Sequence, residues 1–342
     1  MSENQGAETC DAPGWLPESL NGGWTYRDRV AANSAGLSVA GFYASHHRHS
    51  TPATWQARLA AGEIELNGKR LLVDRPLAAG DRLAWHRPPW REEAVPSRWS
   101  VVHDDGDLLV IDKPAGLPVL PAGGWLEHTV LRLLERRHLG DPAGIPRPVH
   151  RLGRFTSGLL VCARTRRSRA WLSAALREST ASCQRAPWGS EGPPPPDRHG
   201  CRKTYRALLV PGRLDLQPGQ ASWIEAPIGR RPHQRLGRIW CAADGSFPDD
   251  LVARSQLTLL ERRPQADLAE VVRRTGRPHQ VRIHCAVLGA PLREDPLDVP
   301  GGLAAETALP GQGGYWLRSC RIALEGPDGF PLSLEARAVA WC

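Results

Sequence analysis

The stretch His-Arg-Leu-Gly-Arg-Phe-Thr-Ser at residues 150–157 joins a basic loop to an apolar run. The run that follows, Gly-Leu-Leu-Val-Cys-Ala-Arg at 158–164, predicts a buried strand. Arg151 and Arg154 flank Gly153, and loop arginines suit either contacts to phosphate or exposure to solvent. Gly153 itself offers no side chain that could attack a substrate or accept a proton.

Four further blocks accompany this stretch, and their order along the chain is informative. They are Lys-Pro-Ala-Gly at 113–116, Lys-Thr-Tyr at 203–205, Thr-Gly-Arg-Pro-His-Gln-Val-Arg-Ile-His at 275–284, and Gly-Ala-Pro-Leu-Arg-Glu-Asp-Pro-Leu at 289–297. Each resembles a block of the RluA-like RNA pseudouridine synthases, in the same order. A single block would be weak, whereas five in order are hard to obtain by chance. The chain is therefore identified as similar to that family.

The resemblance implies a fold and an activity. The fold expected is α+β, the pseudouridine synthase fold around a mixed, largely antiparallel sheet, with a small N-terminal α/β module. The activity expected is the isomerisation of uridine to pseudouridine in ribosomal or transfer RNA. The target base must leave its stack, at a cost that contacts to the extruded base offset. The reaction has no redox or group-transfer step, so no cofactor is expected.

The resemblance also assigns roles to individual residues. Tyr205 matches the tyrosine that stacks on the target base, an interaction worth about 1–3 kcal/mol. Arg282 matches the arginine that pairs with the catalytic aspartate, and Arg277 is the less favoured candidate. Gly153 stands at the position of that aspartate. Contacts to RNA are expected from Lys69, Lys113, Arg151, Arg154, Lys203 and Arg277.

The glycine at the aspartate position leaves three alternatives for Arg282. Another carboxylate reaches it, with Asp112, Glu294 and Asp295 as candidates; the substrate phosphate supplies the anion; or the arginine turns to solvent. We expect a cleft with Gly153 at its floor, an unpaired arginine and no acid. On that basis Gly153→Asp would restore the missing group on an intact scaffold. The alternative function is a catalytically silent RNA-binding protein that acts in RNA folding or ribosome assembly.

Composition and charge agree with an RNA partner. The 342-residue chain has 44 Lys and Arg against 36 Asp and Glu, a formal net charge of +8. Nearly all the basic residues are arginine, whose planar fork suits phosphate contacts and base stacking. A basic chain is a candidate for a polyanionic partner, although a generally arginine-rich proteome would give the same charge. No obligatory protein partner is evident.

Turn signals and composition divide the chain into segments. Residues 1–23 are expected to be a mobile N-terminus. Residues 24–90 resemble the small RNA-binding module named after ribosomal protein S-four. The predicted elements are a helix over 51–61 and a hairpin in which the Asn67-Gly68 turn joins residues 63–66 to residues 71–73. Residues 97–342 form the expected catalytic domain. The proline-rich stretch 179–200 is predicted to be a disordered insertion.

The cysteines and the hydropathy exclude several classes of protein. The eight cysteines form no CxxC pair and no zinc-ligand spacing, so we expect reduced, buried thiols and no metal. A zinc or redox protein is a remote option for the same reason. No stretch approaches the length of a membrane helix. We therefore expect a cytoplasmic protein without a membrane partner.

Overall fold

The computed structural model describes residues 14–18, 20–185, 201–308, 312–325 and 331–342. The chain divides into two compact units. The smaller unit comprises Glu18–Glu92 and Pro232–Gly237, and the larger unit comprises the remaining described residues. Trp15 and Leu16 pack against the core of the larger unit, so the predicted mobile N-terminus is wrong at these two positions.

The smaller unit is an antiparallel sheet with two helices. Its elements are β1 (Trp24–Arg29), a 3-10 turn (Ala32–Ser34), α1 (Val39–His46), α2 (Pro52–Ala60), β2 (Ile64–Leu66), β3 (Lys69–Arg70) and β4 (Arg82–Arg87), with the sheet order β1-β4-β2-β3. The Thr51 side chain accepts a hydrogen bond from the Thr54 N–H at the start of α2, which satisfies a donor that the helix leaves open. Trp55 and Leu59 from α2 are buried in the core of this unit.

The hairpin of this unit is shorter than the alternating pattern predicts. Asn67 and Gly68 both have positive φ, 52° and 79°, as a two-residue turn between strands requires. That turn pairs Leu66 with Lys69, so the return strand begins at Lys69 and ends at Arg70. Leu72 and Val73, which the pattern placed in the strand, are 58% and 75% exposed.

The larger unit holds one ten-stranded mixed sheet and two separate two-stranded sheets. Its strands are β5 (Ser100–Asp104), β6 (Leu108–Lys113), β7 (Arg147–Pro148), β8 (Thr156–Ala163), β9 (Arg202–Leu209), β10 (Ala221–Ile224), β11 (Ile228–His233), β12 (Gly237–Ala242), β13 (Ser255–Arg263), β14 (Ala266–Arg273), β15 (Asp298–Val299), β16 (Leu303–Ala304), β17 (Leu317–Glu325) and β18 (Pro331–Glu335). Its helices are α3 (Val130–Arg137), α4 (Arg166–Arg185) and α5 (Gln280–Val287).

The strand order confirms the predicted fold class. The main sheet runs β10-β13-β14-β9-β17-β8-β6-β5, with β7 and β18 paired to β8 and β17. Among the described strand pairs of this sheet, β8 and β17 are parallel and the others are antiparallel. The expected α+β unit around a mixed, largely antiparallel sheet is therefore present.

Both faces of the central strands are covered. In β8, Leu160 faces a core that includes α3 and α5, whereas Leu159 and Val161 face a second core that includes Leu172 of α4. Successive side chains of a strand point to opposite faces, so a strand that is buried on both sides is apolar throughout. This explains the unbroken apolar run at 158–163.

Two predicted features differ from the structure or fall outside it. Helix α4 continues to Arg185, so the predicted disordered insertion is wrong for its first seven residues, 179–185. Residues 186–200 and 1–13 lie outside the described residues. Among the helices that the structure describes, none combines the length and the apolar character needed to cross a membrane.

The parallel pairing of β8 and β17 depends on a glycine. Gly158 lies opposite Ser319 and has φ of +97°, a conformation that L side chains rarely adopt. A Cβ at this position would overlap the backbone carbonyl oxygen of Ser319. The two strands can approach this closely because Gly158 has no Cβ.

We expect Gly158→Ala to destabilise the larger unit by about 2–5 kcal/mol, the sum of backbone strain and steric overlap. The matched control is Gly106→Ala, since Gly106 has φ of +91° and no atom within 4 Å of an added Cβ. The control isolates the strain at about 1–2 kcal/mol. Urea unfolding measures both changes, and equal losses in the two variants would contradict the role of the close approach.

Candidate functional site

A cleft of about 1080 Å³ opens in the larger unit beside β9. It is lined by loop residues 118–123 and 149–156, by Lys203 and Tyr205 of β9, by residues 273–282, and by Tyr315. Three of the five sequence blocks that resemble the pseudouridine synthases contribute lining residues, namely the blocks at 150–157, 203–205 and 275–284. The cleft is therefore where the predicted site residues are to be compared with the structure.

The charge of the cleft wall has one sign. Its cationic residues are Arg151, Arg154, Lys203, Arg273, Arg274, Arg277 and Arg282. Among the described residues that line the cleft, none is an aspartate or a glutamate. A concave wall of this kind focuses positive potential and attracts a polyanion. The part of the chain that the structure describes holds no cluster of three or more His, Cys, Asp or Glu side chains suited to a metal ion.

Gly153 lies at the wall of the cleft, and a tyrosine occupies the space beside it. A Cβ at Gly153 would overlap the hydroxyl of Tyr315, and Thr156 Oγ1 would lie 3.3 Å away. The Tyr315 hydroxyl lies 3.2 Å from Thr156 Oγ1. The Tyr315 ring packs edge-on against the Phe155 ring, with the two ring centres 5.8 Å apart. From the sequence we expected Gly153→Asp to act on an intact scaffold. That expectation is wrong, because Tyr315 must first move to make room for the new side chain.

Arg282 is paired, which corrects the expectation of an unpaired arginine. Its Nε and Nη2 donate to the two carboxylate oxygens of Asp295 at 2.7 and 2.8 Å, and Nη2 lies 2.9 Å from Asp298 Oδ2. The side chains of Arg282, Asp295 and Asp298 are 6%, 0% and 1% exposed. Burial lowers the pKa of the guanidinium, but the two carboxylates outweigh it and raise that pKa overall.

Asp298 is a partner that the sequence did not predict. Burial raises the pKa of this carboxyl to about 7, although Arg282 acts in the opposite direction. The Asp295 oxygens also accept the backbone N–H groups of Leu297 and Asp298. The two carboxylates therefore hold Arg282 from behind the cleft wall, and neither lines the cleft.

The other predicted carboxylates are also away from the cleft. Asp112 accepts both Nη groups of Arg318, at 3.0 and 2.6 Å. The Glu294 side chain is 53% exposed, and it does not line the cleft. Of the three alternatives for Arg282, the structure contains the first, a carboxylate from elsewhere, but that carboxylate neutralises the arginine and does not face the substrate.

Lys203 and Tyr205 are two residues apart on β9, so their side chains lie on the same face of the sheet. Both line the cleft, and the Arg273 guanidinium lies 5.7 Å from the centre of the Tyr205 ring. Burial raises the pKa of the Tyr205 hydroxyl, so it stays protonated. Burial, together with Arg273, lowers the pKa of Lys203 to about 7.

His150 is held by the strand that follows it. The backbone N–H of Val161 donates to His150 Nε2 at 3.1 Å, so the proton of the neutral ring is on Nδ1. Burial, Lys203 and Arg273 hold the pKa of His150 well below its usual value. This histidine is therefore neutral, and it positions the loop that carries Arg151 and Gly153.

Of the residues predicted to contact RNA, Arg151, Arg154 and Arg277 line the cleft, and Lys69 belongs to the smaller unit. Arg151 is exposed at the cleft, whereas the Arg154 guanidinium lies over the rings of Trp125 and Phe155, at 4.2 and 4.5 Å from their centres. Arg277 lines the cleft and donates from Nε to the Val252 carbonyl. Lys69 is exposed on β3 of the smaller unit.

Lys113 has a structural role, which corrects its predicted contact with RNA. The side chain is fully buried, and Nζ donates to the carbonyl oxygens of Pro114, Leu117 and Arg154 at 2.7, 2.9 and 3.0 Å. Burial lowers its pKa to about 7. The lysine ties the turn after β6 to the loop that carries Gly153, and it is not among the residues lining the cleft.

Besides Asp298, three residues of the site were not predicted from the sequence. Tyr315 follows a glycine-rich stretch that carries no motif, so no local signal marked it. Arg273 and Arg274 end β14 directly before the 275–284 block, and their adjacency to that block was a usable signal.

We expect Gly153→Ala to destabilise the larger unit by about 1–3 kcal/mol, because the added methyl group overlaps the Tyr315 hydroxyl. In the Tyr315→Phe background, where that oxygen is absent, the same substitution should cost less than half as much. Urea unfolding of the four proteins in this double-mutant cycle measures the coupling. The same cost in both backgrounds would show that Tyr315 does not limit the space at Gly153.

Comparisons with known proteins identify the family of this chain. A family model described as RNA pseudouridylate synthase matches residues 107–287. An uncharacterized RNA pseudouridine synthase of Synechocystis sp. is 41% identical over 82% of this chain and 87% of that protein.

RNA pseudouridine synthase 5 of Arabidopsis thaliana is 34% identical over 83% of this chain and 77% of that protein. The ribosomal large subunit pseudouridine synthase D of Pseudomonas aeruginosa is 34% identical over 58% of this chain and 52% of that protein. The family match spans more than half of the chain and includes most of the residues that build the cleft. The chain therefore belongs to the RNA pseudouridylate synthase family, an isomerase family.

Proposed function

We propose that the cleft binds a uridine extruded from ribosomal or transfer RNA and converts it to pseudouridine. The observation that carries this proposal is the placement of Tyr205 in a wall with seven cationic side chains and no described carboxylate. An aromatic ring gives the flipped base a stacking surface, and the arginines suit the phosphates on either side of it. The Pseudomonas aeruginosa relative is named a ribosomal large subunit pseudouridine synthase, which supports ribosomal RNA as one substrate class.

The electrostatics of the cleft fit the bond cleavage that this isomerisation requires. When the bond between uracil N1 and ribose C1′ breaks, the electron pair stays on the uracil ring. Cationic groups already in position stabilise charge that develops in the transition state, at no cost of reorganisation during the reaction. We therefore assign to Arg273 and Arg277 the stabilisation of the departing uracil and of the adjacent phosphates.

The smaller unit supplies a second contact to RNA in this proposal. Lys69 and Arg70 form its exposed edge strand β3, and Arg82 begins the exposed end of β4. Basic side chains on a short edge strand suit phosphate contacts. The likeness to the small ribosomal module supports this assignment and concerns Thr51–Trp85.

The test of activity follows the hydrogen on uracil C5. That hydrogen leaves the base when C5 joins the ribose, so RNA labelled with tritium at uridine C5 releases tritium to water. We expect release from ribosomal or transfer RNA prepared from a strain that lacks this gene, and no release from RNA of the parent strain. RNA binding without tritium release from any substrate would favour the silent RNA-binding alternative and contradict the proposed reaction.

The salt dependence of binding tests the role of the cleft. We expect Arg151→Gln to weaken RNA binding and to lower the slope of log K against log salt by about 0.7–0.9, the loss of one phosphate contact. The matched control is Arg213→Gln, since Arg213 is exposed and lies outside the cleft. Fluorescence anisotropy at several salt concentrations measures both slopes. An equal change in the two variants would indicate general charge attraction without a defined cleft contact.

A further inference from the structure

Every route from uridine to its carbon-linked isomer removes the proton on uracil C5, because C5 exchanges this hydrogen for ribose C1′. A base within hydrogen-bond reach speeds such a step by about 10²–10⁴-fold. The described residues that line the cleft include no aspartate or glutamate. The base is therefore to be sought among the other titratable side chains of the cleft wall.

Neither histidine of the cleft is free to accept this proton. His150 Nε2 already accepts the Val161 N–H, which leaves Nδ1 as a donor. His279 Nδ1 lies 3.1 Å from Arg282 Nη1, a cationic donor, so the ring proton of His279 is on Nε2. Burial lowers the pKa of His279 to about 4, which makes it a weak base.

The tyrosines and the cysteine of the cleft are excluded by their protonation state. Burial raises the pKa of Tyr205, of Tyr315 and of the Cys201 thiol above their ordinary values. Each of them therefore carries its proton at neutral pH and cannot take another. The arginine side chains cannot lose a proton in a protein.

Lys203 differs from all of these groups in both position and environment. It lines the cleft on the same face of β9 as Tyr205, so a base stacked on Tyr205 lies next to its amine. The charged and titratable groups around it are Arg273 of β14, His150 before β8, Cys201 directly before β9, and Tyr205 of β9. No carboxylate is among the groups that act on its charge, so nothing there favours the ammonium form.

Resting on the proposed function, we propose that Lys203 is the catalytic base that removes the C5 proton. After the N1–C1′ bond has broken and C5 has bonded to C1′, the neutral amine accepts the proton from C5. The electron pair of the C–H bond restores the ring double bond. The resulting ammonium gives a proton to uracil N1, which held the electron pair of the broken bond. The amine is regenerated, and no other reactant is consumed.

The pH dependence of kcat/KM tests this role, since it reports the ionisation of the free enzyme. Burial and Arg273 lower the pKa of Lys203 to about 7, so activity should rise with pH and level off above about pH 7. Lys203→Arg is cationic at every pH and cannot be a neutral base. We expect this variant to bind RNA at pH 6, where Lys203 itself is protonated, with unchanged salt dependence. At pH 8 it should lose about 10²–10⁴-fold in tritium release, and its activity should not rise near pH 7.

Chemical rescue separates a base from a structural lysine. Lys203→Ala, confirmed as folded by its circular dichroism and RNA binding, should regain tritium release when methylamine is added. Rescue should follow the concentration of the neutral amine as pH is varied. It should also lessen the deuterium isotope effect at uridine C5, which we expect to be larger in Lys203→Ala than in the wild type because C5 deprotonation then limits the rate.

The outcomes separate this inference from the proposed function. An active wild type together with an equally active Lys203→Arg, or rescue that follows the ammonium form, would overturn the inference alone. A wild type that releases no tritium from any RNA would overturn the proposed function and the inference with it. Loss in Lys203→Arg with rescue of Lys203→Ala by the neutral amine would establish Lys203 as the base.

Discussion

The cleft wall depends on the buried interaction of Arg282 with Asp295 and Asp298. The arginine comes from α5, and the two carboxylates come from the turn that precedes and begins β15, so the ion pairs join these segments. The Arg282 guanidinium also lies 4.6 Å from the centre of the Tyr315 ring. Loss of one partner of a buried ion pair typically costs about 3–5 kcal/mol, because the other charge remains buried without compensation.

This interaction leaves the cationic Arg282 in the cleft wall and keeps the two anionic carboxylates out of the cleft. The carboxylates that neutralise Arg282 lie behind it, and Asp112 is held in the same way by Arg318. The cleft itself therefore presents cationic groups, backbone and aromatic rings to a ligand. Such a surface suits an anionic ligand and a ring that gains negative charge, and it provides no carboxylate to act on the substrate. Proton transfer must therefore use a side chain other than a carboxylate. We infer that Lys203 serves, because it lines the cleft and burial lowers its pKa to about 7.

A second constraint is the packing around Gly153. The Tyr315 hydroxyl occupies the volume that a side chain at position 153 would need, and Thr156 Oγ1 lies 3.3 Å from the position of the added Cβ. Lys113 holds the same loop from the other side through the Arg154 carbonyl. The glycine is thus adapted to its surroundings, and changing it alone does not restore a carboxylate at this place. Because the Tyr315 hydroxyl fills the space beside Gly153, we expect the effects of substitutions at these two positions on the free energy of unfolding to be coupled.

Local pattern determined much of the fold. The Asn67-Gly68 turn follows from its need for positive φ, α2 from its Thr51 cap and its Trp55–Leu59 spacing, and the buried strand β8 from its unbroken apolar run. These features depend on neighbours in the chain, and so the sequence determines them. The blocks that resemble the pseudouridine synthases also indicated that Tyr205, Arg282 and the loop at 150–157 share one site.

Tertiary structure decided which charges meet and which are buried. Lys113 is the last residue of β6, and Lys203 is the second residue of β9. Lys113 is enclosed by three carbonyl oxygens, whereas Lys203 lines the cleft. Tyr315 reaches Gly153 across 162 positions of the chain, and Asp298 reaches Arg282 through a turn of no regular pattern. The ion pairs, the burial and the resulting pKa values depend on distances between segments that are remote in sequence. No periodicity encodes such distances, and for that reason only the folded chain shows them.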